Sequence, residues 1–155
     1  MMIGIGPLAT AAGTAKPVNA KKFDRLARAA LAAMRQKAAE LNIQGVAVIN
    51  YAPGDKIENW SSKMAVVGRM TDPVASNGKG NNLLGIAYAK SSEMARTLMD
   101  SGTAKGTPMT AEFFWQGGMI FKASSGYVIV AFSGGKSEDD VQVSKAGLEV
   151  MKAGL

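Results

Sequence analysis

The sequence predicts an α+β domain, one mostly antiparallel sheet with helices packed on it. Three observations predict it. The elements run helix, strand, strand, helix, strand, strand, helix. The strands come in two pairs, each joined by a turn, so each pair is antiparallel. The last thirty residues form the best-defined unit: an apolar run Tyr127 to Phe132, the glycines Gly134 and Gly135, then a helix start. That run is short, β-branched and aromatic, as a strand buried on both faces is.

Asn19 is a cap for a helix from about Ala20 to Leu41, in which Phe23, Leu26, Ala27, Ala30, Leu31, Met34, Ala38 and Leu41 recur at three- and four-residue steps. Lys22, Arg25 and Arg35 point largely away from that stripe, and Asn42 is the expected stop. Gly45 to Asn50 is the next strand, Ala52-Pro53-Gly54-Asp55 a turn, and Lys63 to Met70 the returning strand. Between them, Lys56 to Ser62 reads as an enlarged hairpin tip with Trp60 either packed back or exposed. Thr71 to Asn82 reads as a loop. A second helix covers about Leu83 to Met99, with Leu84, Ala87, Tyr88, Ser91, Met94, Ala95 and Leu98 inward and Gly102 as its end. After the aromatic cluster Phe113-Phe114-Trp115 and the pair Gly117-Gly118, Met119 to Lys122 is a strand that turns through Ser124-Ser125-Gly126. Ser137 is expected to cap the last helix, with Asp140 completing an approximate capping box.

At 155 residues, with 47% apolar and 19% charged residues, the chain is one globular domain with no internal repeat. It has no Cys and no His. Disulfides, thiolate metal sites, Cys nucleophiles and Ser–His–Asp chemistry are therefore excluded, as is the commonest haem ligand. No residue pattern names a catalytic group, so an enzyme is the weaker expectation. The net charge is +6, and residues 16–41 carry seven basic residues against two acidic ones. With no aromatic residue interleaved for base stacking, that run reads as a solvated face and not as a nucleic-acid surface. No run approaches the ~20 apolar residues of a membrane span. Met1 to Ala15 lacks a basic n-region and reads as an ordinary arm, with cytoplasmic placement the default. Gly4-Ile5-Gly6-Pro7 has no preceding strand and no third glycine, so it is no dinucleotide fingerprint.

Gly135-Lys136-Ser137 looks like the end of a phosphate-binding loop, but Val130 stands where the first glycine is required. Glu138, Asp139 and Asp140 suit the positive end of a helix dipole better than a cation, because consecutive helical residues do not converge. Arg69 and Lys90 stand open between two readings: cations facing a pocket for ligand carboxylates, or surface side chains with buried stems. Phe113, Phe114 and Trp115 are equally open between a pocket wall, a subunit contact and plain core.

Phe132-Ser133-Gly134-Gly135, with Asp139-Asp140 and then Lys145-Ala146-Gly147-Leu148, resembles the C-terminal signature of the GlcG/HbpS-like family, which is also labelled haem-degrading and includes PduO C-terminal-like domains. Val46 to Ile49, Arg69-Met70-x-Asp72, Ala87-x-x-Lys90 and Gln116 to Ile120 resemble further family elements in the right order. The resemblance spans residues 21–155, leaving 1–20 as an N-terminal arm. It implies a profilin-like three-layer α/β/α domain with a mostly antiparallel sheet of about five strands. It implies homo-oligomers and, for some members, haem or corrinoid binding; one branch is extracellular. The chain departs from the family at Tyr51, at Ser91 and in two longer loops. The expected function is a non-catalytic small-ligand-binding domain for an anionic ligand such as a haem. Its site would take Arg69 and Lys90 for the ligand's charge and Phe114, Trp115, Gly117 and Gly118 for the wall. The alternative is a ligand-free oligomeric structural or assembly protein.

Overall fold

The computed structural model describes residues 16–74, 76 and 78–155. The expectations for Met1 to Ala15 lie outside these. Three helices and four main strands alternate in the expected order. Helix α1 (Ala20–Glu40) starts where the Asn19 side chain accepts the Lys22 N–H at 2.8 Å. It ends at Asn42, which takes a left-handed conformation (φ 55°). The Asn42 and Ile43 amides donate back to Ala39 and Ala38, closing the last turn.

Strands β1 (Gly45–Pro53) and β2 (Ser61–Val67) form the first hairpin. β1 runs three residues past its expected end because Ala52 and Pro53 still pair with Tyr127 and Gly126. The segment expected to be loop contains a two-residue ladder, β3 (Thr71–Asp72) with β4 (Asn81–Asn82). Helix α2 (Leu83–Thr97) starts at Asn82, whose side chain accepts the Gly85 N–H. It stops at Leu98 in a left-handed conformation (φ 57°), four residues before the expected glycine.

Strands β5 (Gly118–Ala123) and β6 (Gly126–Ser133) form the second hairpin. The main sheet has the order β2-β1-β6-β5 and is antiparallel throughout, one strand fewer than the resemblance implied. Helix α3 (Ser137–Gly154) corrects the expected cap: Lys136 occupies the cap position and Ser137 is already helical, with no side-chain cap bond. Asp140 instead reaches back, accepting the Gly135 N–H at 2.8 Å.

Alternation along the two central strands builds three layers. Ala47, Ile49 and Tyr51 of β1 and Val128, Val130 and Phe132 of β6 pack against α1 and α3. Val46, Val48, Ile129 and Ala131 face α2. The fold is therefore the expected α+β, α/β/α arrangement. Trp60 and Ile57 of the first hairpin tip fold back against Met94 and Ile129. Among the described residues, no helix is long and apolar enough to cross a membrane.

Candidate functional site: a buried lysine–aspartate pair beside a small cavity

Lys90 lies on the inner face of α2, in step with Leu83, Ala87 and Met94. That placement follows from spacing, since residues four, seven and eleven after Leu83 share one helical face. An apolar stripe thus carries a cation across to the end of β6. There Lys90 Nζ donates to the Phe132 carbonyl at 2.8 Å and to Asp140 Oδ2 at 3.1 Å. Both side chains are only 4% exposed. Asp140 Oδ1 takes the Gly135 amide, so the glycine turn and the helix start close around the carboxylate. Gly117 permits the approach: it has φ 135°, and a Cβ there would collide with Lys90 Nζ and with Asp140 Cβ.

Burial pushes the Lys90 ammonium below the ordinary lysine value, against the opposing pull of Asp140. Burial likewise raises the Asp140 carboxyl, opposed by Lys90 and by the turn amides. Desolvation of each ion outweighs its partner's attraction, as is common for a buried pair.

A cavity of about 160 Å³ borders this pair. Trp115, Gln116, Ser133 and Ser137 line it together with Lys90 and Asp140. The carboxylates around it already have partners. Asp140 holds Lys90 and Gly135, while Asp72 holds Arg69 at 2.8 Å and Asn81 at 3.4 Å. The Ser133 and Ser137 hydroxyls, the Gln116 amide and the Trp115 indole N–H make no hydrogen bond among the described residues. Uncommitted donors therefore outnumber uncommitted carboxylate acceptors.

The expected site residues separate in space. Lys90 and Trp115 meet at the cavity. Gly117 supports Lys90, and Gly118 leaves room for Met94 while its N–H donates to Ser101 Oγ. Phe114 is half-buried at φ 52° and does not line the cavity. Trp115 stacks on Phe113 with ring centroids 4.6 Å apart, and each is 48% exposed. Arg69 lines a different, wider groove of about 600 Å³ on the far side of Gly134. Its guanidinium bonds Asp72, the Gln44 carbonyl at 2.6 Å and the Gly134 carbonyl at 2.9 Å, clamping the start of β1 to the end of β6. Sequence reading assigns Asp140 to the helix dipole and leaves out Ser133, Gln116 and Ser137. The missing signal is a tertiary one, the meeting of α2 with the β6–α3 turn.

Neither cavity offers one of the usual haem ligands. The smaller space is below the roughly 300–1,000 Å³ of pockets for drug-sized ligands. Neither lining holds a His, Cys, Met or Tyr as axial ligand. Among the described residues, no group of three or more acidic side chains is placed to hold a metal ion.

No protein-family model matches the chain, and no curated protein matches it in sequence. Solved structures do match in shape. A crystal structure of Klebsiella pneumoniae protein ORFY, assigned to DUF336, aligns over 94% of this chain and 98% of its own at 14% identity, with a TM-score of 0.57. The chain has the GlcG-like fold. The same fold is seen in a PduOC:Heme complex (11% identity, 86% of this chain and 94% of that one, TM-score 0.54). It is seen again in the Ybr137w protein (15% identity, 89% and 82%, TM-score 0.51). At these identities the likeness is one of fold. The GlcG-like fold here carries the Lys90–Asp140 pair at the junction of its three layers.

Proposed function

We propose that this chain is a small-ligand-binding domain whose site is the cavity beside Lys90 and Asp140, and that its ligand is a compact carboxylate. The observation that carries the reading is the buried ion pair on the wall of a cavity whose lining also holds the uncommitted donor groups of Ser133, Ser137, Gln116 and Trp115. A carboxylate can accept from the Ser133 and Ser137 hydroxyls, the Gln116 amide and the Trp115 indole N–H. The reading is of binding without turnover.

Titration of the protein with acetate, lactate and succinate, followed by indole fluorescence, tests it. Saturable quenching is expected, absent with methylammonium and weakened about tenfold in Gln116→Ala, the loss of one good hydrogen bond to a charged group. No saturable response to any of the three acids would sink the proposal. Haemin is the informative larger probe, because a saturable Soret shift unaffected by Gln116→Ala would put a tetrapyrrole at another surface.

A second reading, an oligomeric assembly protein, is favoured by the exposed Phe113–Trp115 stack, with Met109 58% exposed nearby in sequence. Light scattering decides it: a stable monomer at micromolar concentration rejects assembly as the function.

A further inference from the structure

The two edges of the main sheet are treated differently. At β5, the preceding segment covers the edge: Ser101 N–H donates to the Gly118 carbonyl, and Asp100 Oδ1 accepts the Ile120 N–H at 3.0 Å. At the opposite end of the sheet, β2 has β1 on one side and, among the described residues, no strand on the other. Among the described residues, no loop or side chain bonds to its outer backbone groups. Beside this bare edge run two grooves. One, of about 260 Å³, lies between α1 and β2 and has Leu31, Met64 and Ala65 in its wall. The other is the 600 Å³ groove near Arg69, and Arg35 lines both.

The charged residues in the two linings are all basic. Arg28, Arg35, Lys63 and Arg69 line them, and neither lining contains an Asp or Glu. Asp24 bonds Arg28 and Lys63 at 2.8 Å each, and Asp72 bonds Arg69. Arg35 is exposed on α1 and has no ion pair among the described residues. The basic excess of residues 16–41 thus has a geometric counterpart along β2.

We propose that the edge of β2 with its flanking basic groove is a docking site for an extended acidic peptide segment of another protein, added as a fifth strand. Backbone pairing with β2 supplies the affinity common to any sequence, and alternate side chains enter the groove. Strand β2, Ser61–Val67, spans about 20 Å at ~3.3 Å per residue, enough for six or seven partner residues. Charge decides between partners. A second copy paired here would bring Lys63 and Arg35 against their own duplicates, which is how edge lysines discourage self-pairing. An acidic strand meets the same residues with opposite sign.

An octapeptide alternating glutamate and valine, fluorescently labelled and titrated at about 50 mM salt, is the probe. Saturable binding is expected, together with slowed hydrogen exchange at the amides of Ser61–Val67. Arg35→Glu, an exposed substitution that leaves the core untouched, weakens binding about tenfold or more, the worth of one charged contact. Lys63→Gln gives an independent second measure. A version of the peptide N-methylated at alternate residues fails to bind, since one backbone edge is blocked. Absence of binding, binding without protection of β2, or preferential binding of an oligothymidylate of equal length each overturns the proposal. The carboxylate site at Lys90 is untouched by these variants, so the two readings fail separately.

Discussion

Lys90 and Asp140 are almost wholly removed from solvent, and each is the other's counter-ion. Removing one leaves an uncompensated buried charge. Lys90→Met or Asp140→Asn alone is expected to cost roughly 3–5 kcal/mol, and the double variant less than the sum. Urea unfolding of all four proteins measures this. The pH dependence has a definite sign. The Asp140 carboxyl is raised above its ordinary value of 3.8, so the folded state binds the proton more tightly than the unfolded chain. Its contribution is full below about pH 3.8 and is lost as pH rises through the higher folded value. Asp24, Asp72 and Glu112, whose carboxyls are held low by Lys63, Arg69 and Arg96 respectively, act with the opposite sign. The stability difference between wild type and Asp140→Asn therefore reports the coupled Lys90–Asp140 pair, and the part due to the Asp140 proton should shrink as pH climbs above 3.8. At Gly117, Ala would put a methyl group onto the lysine nitrogen in a backbone conformation that disfavours side chains. Gly117→Ala is expected to cost roughly 3 kcal/mol or more, against about 1 for Gly54→Ala, where φ is also positive but nothing lies within 4 Å. Thermal melts of the two variants make the comparison.

At the scale of elements, helix starts separate what residue type alone indicates from what the neighbours decide. Asn19 and Asn82 each accept an amide three residues on; the first is the cap expected before the α1 stripe, and the second was read only as the end of a loop. Ser137 has the right chemistry one position too late, and Asp140 satisfies the Gly135 amide in its place. Asn19→Ala should therefore lower stability by about 1 kcal/mol while Ser137→Ala stays within about 0.5. Equal losses in denaturant unfolding would contradict the cap assignment. The end of α2 makes the same point. Leu98 carries the left-handed turn because the chain bends there to bring Glu93 to the Gly102 amide at 2.7 Å, and glycine was expected to mark that position itself.

For the whole molecule, the close contact of α1 with α3 governs the thickness of one layer. Gly147 lies on α3 directly against Met34 Sδ, with Val130 of the sheet 3.3 Å from where a Cβ would be. Gly147→Val overfills that junction, and a loss of about 2 kcal/mol or more is expected in denaturant unfolding. Nearly all of the main elements were legible beforehand, while the three-layer arrangement was only implied by the family resemblance. The stripe on α1, the alternation and apolar runs of the strands, and the hairpin turns are local patterns that burial enforces directly. The candidate site was legible only in pieces. Lys90 stood open between a pocket and a surface reading, and Trp115 and Gly117 lay two residues apart in sequence. Arg69 shared their chemistry but lies across Gly134 from them, holding two strand ends together.

Residue patterning alone determined the α+β class, the seven main elements, the absence of His and Cys chemistry and the basic character of the first helix. These depend on composition and on contacts a few residues apart. Tertiary structure alone decided that Lys90 pairs with Asp140 fifty positions away, that the pair borders a cavity of about 160 Å³, and that β2 keeps an unpartnered edge beside Arg35. Sequence spacing orders residues along one element. Only the packing of α2 against the β6–α3 turn brings two opposite charges out of water together, and the electrostatics of the site arise there.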